Sequence, residues 1–150
     1  MRIGSYFVAV ALCLSATSLY AGSPEQDKAF IEKYRKAFEA NDKATLQSFL
    51  YTQGANPMVL EFYRMMQTEG AGQKISKIDL VGLSPEDVKK AEAVMDGPGG
   101  QKIRLPLKPT KKLILVIEQK TADSSTKTSS ESFIAEVDGR YVIPVPASAK

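Results

Sequence analysis

The sequence predicts an α+β fold, with N-terminal helices packed on a curved antiparallel sheet of four to five strands. The shape is a roll in which the sheet curls around a helix, built by residues 22–150 as one domain. Three observations carry this reading. Apolar residues recur at helical spacing up to about residue 69, and strand-like runs take over afterwards. Asp138-Gly139 between two β-rich runs is the two-residue hairpin signal. A sheet with one apolar face must be covered, and the long first helix is the natural cover.

"SPEQ" opens the first helix: Ser23 caps, Pro24 suits the first helical position, and Gln26 completes a capping box. Phe30, Ile31, Tyr34, Ala37 and Phe38 then share a face, with Glu32 and Lys36 paired on the other side. The helix is expected to end near Asn41. Asp42 caps a shorter one, "DKATLQSFLY", whose inner side is Leu46, Phe49 and Leu50. Asn56 and Pro57 start a third, which runs to about Glu69 and stops at "GAG".

"KISKIDLVGL" reads as a strand, with Ile78 and Leu80 on one face. "SPEDVKKAEAVM" reads as a short surface helix, capped by Ser84, Pro85 and Asp87, with Val88, Ala91 and Met95 as its apolar stripe. "GPGG" reads as a flexible turn. "KIRLPLK" alternates Ile103, Leu105 and Leu107, but Pro106 and Pro109 make it an edge strand. The unbroken run Leu113 to Ile117 is expected of a central strand covered on both faces. "ADSSTKTSS" reads as a polar loop before the closing hairpin.

Residues 1–21 read as a secretory signal peptide. Arg2 is the basic start, Tyr6 to Leu14 is an apolar stretch too short to span a bilayer, and Ala21 is the small residue at the cut. Leu19 is bulkier than usual for a residue just before a cut, and Leu12 ahead of Cys13 does not suit a lipidation signal. Cleavage near Ala21 implies an exported protein, periplasmic or secreted, with no membrane span in the mature chain. It also removes the one cysteine, so the core alone must stabilise the domain.

The chain of 150 residues contains no histidine, which excludes Ser-His-Asp and Cys-His catalysis and histidine-ligated metal sites. No phosphate loop or calcium loop is present, so no cofactor and no metal is expected. A formal net charge of +3 gives little pull toward nucleic acid.

Three stretches together resemble a known superfamily: "FIEKYRKAFEANDKATLQSFL", "KLILVIEQK" and "FIAEVDGRYVIPV". They are similar to the cystatin-like fold, in its nuclear transport factor 2-like and ketosteroid isomerase-like branch. The resemblance implies a cone-shaped scaffold that often holds a small apolar ligand or forms a dimer through its sheet. The carboxylate and phenol positions of isomerase-like members have no residue-by-residue match here. The inhibitory loop of cystatins and its late Pro-Trp are also absent.

"EFYRMMQ" (61–67) is the main candidate site. On a helix beginning at Pro57, Met58, Phe62, Met65 and Met66 share a face with Val59, with Tyr63 at its margin. The plainer reading is ordinary core. The sharper one is a pocket wall at the cone mouth, with Tyr34, Phe62, Tyr63 and Met66 as ligand-binding residues. Tyr34, Tyr51, Tyr63 and Tyr141 are the available phenolic donors. Asp42 reads as a cap, and Asp79 either faces solvent or points into the cone. Lys102, Arg104, Lys108, Lys111 and Lys112 lie in a stretch without acidic residues. They either protect a sheet edge or contact an anionic partner such as a lipid surface.

The function expected from these residues is a non-enzymatic small-ligand-binding or protein-interaction module. Two alternatives stand beside it. One is an isomerase- or hydratase-like enzyme using the cone, and the other is a structural envelope protein that forms a homodimer through its sheet.

Overall fold

A computed structural model describes residues 22–150, so the signal-peptide and cleavage assignments lie outside the described residues. Helix α1 (Pro24–Glu39) starts as expected, with the Ser23 hydroxyl accepting from the Gln26 amide at 3.1 Å. The Gln26 side chain does not close a capping box. It donates instead to the Gly139 carbonyl at 3.1 Å, tying the helix to the far hairpin. Asn41, at φ 54°, ends the helix in a left-handed turn, and Asp42 caps α2 (Lys43–Ser48) through the Thr45 amide at 3.0 Å.

After the two-residue strand β1 (Leu50–Tyr51), Asn56 caps α3 (Pro57–Thr68). The buried Asn56 also donates twice, from its Nδ2 to Gln101 at 2.8 Å and from its backbone amide to the Pro146 carbonyl at 3.1 Å. Strand β2 (Ile75–Gly82) precedes α4 (Pro85–Glu92), whose capping box between Ser84 and Asp87 is complete. Strands β3 (Met95–Asp96), β4 (Lys102–Arg104), β5 (Lys111–Lys120), β6 (Ser125–Val137), β7 (Arg140–Pro144) and β8 (Ala147–Ser148) complete the chain.

The main sheet has five strands in the order β1-β7-β6-β5-β2, all antiparallel except the parallel β1–β7 pair. It is curved, and its concave face holds α1. Ile78 and Leu80 of β2, Leu113 and Leu115 of β5, Ile134 of β6, and Tyr141 and Ile143 of β7 meet Phe30, Tyr34 and Phe38 there. The aromatic rings interlock: Phe30 stands edge-on to Tyr141 at 5.6 Å and to Phe49 at 5.2 Å. Tyr141 donates its hydroxyl to Asp27 at 2.6 Å, and Lys111 pairs with the same carboxylate. At the other end of α1, Arg35 donates to the Ile75 carbonyl at 3.1 Å while Glu39 accepts from the Ile75 amide at 3.1 Å.

Several expectations need correction. Lys102–Arg104 joins a separate three-stranded sheet with β3 and β8, and strand pairing ends before Leu105. Pro106 removes a donor from that segment, which accounts for the break. Met95 lies in β3 and not on α4. Most of "ADSSTKTSS" is strand: residues 125–130 pair along β5, because threonine suits a pleated, solvated surface. β5 is buried on one face only, at Leu113 and Leu115, since Ile114 and Val116 on the other remain half-exposed. Asp79 points outward and pairs with Lys77 at 3.1 Å. Asp138 and Gly139, at φ 50° and 71°, form the expected type I′ turn.

The helical stripe of α3 is also corrected. Met58, Phe62, Met65 and Met66 are exposed, Phe62 at 51%, while Val59 and Gln67 are the buried positions. The helix is rotated so that Leu60 and Tyr63, with Val59, face the core. We therefore expect Phe38→Ala, at a position 1% exposed, to cost about 3–5 kcal/mol. Phe62→Ala should stay within about 0.5 kcal/mol of the parent. Denaturant unfolding measures both, and equal losses would place Phe62 in the core after all.

Candidate functional site

The last turn of α3, the inner face of α1 and the strands beneath them enclose a cleft of about 450 Å³. Leu115 and Ile117 of β5 form its floor, Tyr34 and Phe38 one wall, and Tyr63, Met66 and Gln67 another. The remaining wall is polar, formed by Thr128, Ser130 and Ser132 of β6. This division follows from pleating. Leu113, Leu115 and Ile117 stand opposite Ser132, Ser130 and Thr128, so an apolar row and a hydroxyl row share one face of the sheet.

Two features shape the far end. Gly70, at φ 74°, turns the chain out of α3 where a Cβ would come within 3.1 Å of Ile117. Gln119 donates to Gln73 across the opening at 2.7 Å. Deeper in, the buried Gln67 donates its Nε2 to the Leu46 carbonyl at 3.2 Å. Burial pushes the Tyr34 hydroxyl up to about 12, partly offset by Gln67, and burial also raises Tyr63. Both phenols are therefore neutral at physiological pH, each with a proton to donate. The cleft thus offers an apolar slot with neutral hydrogen-bonding groups along one side.

Of the four ligand-binding residues read from the sequence, the structure brings Tyr34, Tyr63 and Met66 together around this cleft. Phe62 lies on the exposed face of α3 and does not line it. Tyr51 donates to Gln53 at 2.6 Å outside the cleft, and Tyr141 is engaged by Asp27. Sequence reasoning missed Gln67, Gln73, Gln119 and the β6 hydroxyls. The available signal was the Ser/Thr spacing in "STKTSS", legible only once that stretch is known to be strand.

The five basic residues do not form one patch. Lys111 is held by Asp27, Lys102 by Asp96, and Lys112 by Asp87 at 3.1 Å and Glu131 at 3.0 Å. Arg104 and Lys108 have no acidic partner among the described residues. They border a second cleft of about 390 Å³ between α4 and residues 104–109. No group of acidic, cysteine or histidine side chains among the described residues could hold a metal ion. No helix among them is long and apolar enough to cross a membrane.

No protein-family model matches the chain, and no curated protein matches it. Among solved structures, the crystal structure of the helical cell shape determining protein Pgp2 from Campylobacter jejuni is similar over 79% of this chain. The match covers 38% of that protein, at 13% identity and a TM-score of 0.41. At that level the likeness carries no inference about function.

Asp87 and Lys112 make a testable pair. Asp87 is 8% exposed and accepts from the Ser84 amide at 3.0 Å and from Lys112. These bonds, the backbone one first, hold its carboxyl down at about 2. A carboxylate with a depressed pKa stabilises the fold above its ordinary value of about 4, and that contribution is lost as pH falls toward 2. Asp87→Asn should lower the melting temperature at pH 7, and the gap to the parent should close between pH 4 and pH 2. A gap that persists undiminished at pH 2 would assign the loss to packing and not to the charge.

Proposed function

We propose that this is an exported, non-enzymatic single-domain module that binds a small, largely apolar ligand in the cleft between α1, α3 and the concave sheet. The observation that carries the reading is the convergence of Tyr34, Tyr63 and Met66 on one cleft with an apolar floor and a hydroxyl-bearing wall. A flat or elongated ligand with one polar edge fits that division, since buried polar atoms need partners and apolar ones need area. The position of α1 in the concavity of the sheet also supports membership of the cystatin-like, ketosteroid isomerase-like group as part of this proposal.

The enzyme reading is less well supported. Chemistry at a carbon acid needs a carboxylate facing the phenols. The carboxylates that border the cleft, Glu69 and Glu131, are exposed, and Glu131 is engaged by Lys112.

Nile red is a suitable neutral, apolar probe for the cleft. Saturable binding at one site per chain is the expected result. Ile117→Trp, which fills the floor, should weaken it by at least about tenfold. Val116→Trp on the opposite face of the same strand should leave it unchanged. Equal affinity in both variants would overturn the proposal. Native mass spectrometry of gently purified protein, looking for a retained mass, is the companion measurement.

A further inference from the structure

β6 is thirteen residues long, but β7 covers only its last part. The ladder runs Val137↔Arg140 and Ala135↔Val142 and stops. Continued by two residues, the same register brings Pro144 opposite Phe133. Pro144 has no N–H to donate, and β7 turns away toward β1 at that point, where the Ile143 amide donates to the Phe49 carbonyl at 2.7 Å. From Ser125 to Phe133 one edge of β6 therefore has no strand partner among the described residues.

The type I′ turn fixes which backbone groups that edge presents. Val137 and Arg140 flank a two-residue loop and form a hydrogen-bonded pair, so the odd-numbered residues of β6 direct their N–H and C=O toward β7. Ile134 conforms from the other side, its carbonyl accepting from the Thr110 amide at 2.9 Å beside β5. Ser125, Lys127, Ser129, Glu131 and Phe133 thus offer unpaired backbone donors and acceptors along the open edge. It carries no proline and no bulge to blunt it.

We propose that this edge pairs with the same edge of a second copy, antiparallel and centred on Ser129. The charges select that register. With Ser129 opposite its own copy, Lys127 of each chain faces Glu131 of the other, giving two symmetric ion pairs. Shifting the centre to Glu131 would oppose like charges, and shifting it to Lys127 would do the same. The pairing is isologous and closes on itself, so it yields a dimer and not a fibre. Glu131 is 55% exposed and can keep Lys112 while it accepts from the second copy. On the concave side, Thr128 comes beside Ser130 of the second copy, so the added strand lines the hydroxyl-bearing wall of each cleft.

The test is the sedimentation of the purified protein and its variants over a concentration series. The parent should pass from monomer to dimer with rising concentration. Lys127→Glu alone and Glu131→Lys alone should each weaken the dimer at least about tenfold, and the double reversal should restore it. Amide exchange should slow on dimerisation at residues 127, 129 and 131, with residues 128 and 130 already protected by β5. A parent that stays monomeric at millimolar concentration overturns the inference, as does a dimer indifferent to all three variants. Single losses without rescue overturn the register. Nile red uptake by the monomeric Lys127→Glu variant, whose side chain does not line the cleft, separates this outcome from any failure of the cleft.

Discussion

The fold depends on the burial of one aromatic ridge. Phe30, Tyr34 and Phe38 recur along α1, and each reaches a different part of the concave sheet and its neighbours. Tyr34 lies parallel to Phe38 at 6.4 Å and tilts against Phe49 at 5.4 Å, so the rings bind α2 to α1 as well as to the strands. Large rings remove much area from water and have few rotamers to lose, which makes a short ridge sufficient for a domain without disulfides. Polar contacts then fix the angle of the helix. Asp27 is held at one end by Tyr141 and Lys111, and Arg35 and Glu39 are bonded to the Ile75 backbone at the other.

The ridge also explains the cleft. Along the concave face of β5 burial falls off past Leu115, with Ile117 half-buried and Gln119 exposed, and α3 covers that end only in part. Its buried side is narrow, limited to Val59, Gln67 and the half-buried Leu60, Tyr63 and Thr68. What remains uncovered is lined from below by isoleucine and leucine and from the side by serine and threonine.

Much of the fold was legible in the sequence, because local chemistry encodes local structure. Ser23, Asp42, Asn56 and Ser84 all cap the helices that they were read to cap, and Asp138-Gly139 makes its turn. The failures have one cause: which side of an element is covered is decided elsewhere in the chain. On α3 the methionine and phenylalanine stripe looks like core, yet helix–sheet geometry turns Tyr63 and Gln67 inward instead. In "STKTSS" composition suggests a loop, whereas a long partner strand makes it sheet. The basic stretch from 102 to 112 looks unpaired until folding brings Asp27, Asp87 and Glu131 to it. For the candidate site, Tyr34, Tyr63 and Met66 line the cleft as read and Phe62 does not, while the amides and hydroxyls that shape it were not foreseen, because their position depends on that pairing.

The bond between Tyr141 and Asp27 joins residues 114 apart in the sequence. β7, which anchors the first helix, follows every other strand of the main sheet in the chain. Until β7 is in place the aromatic ridge has no complete surface to settle on, and a long loop has to be closed to bring the two together. Chain order therefore delays closure of the core until β7 is present, and any process that must handle the chain as an extended polymer has that interval in which to act.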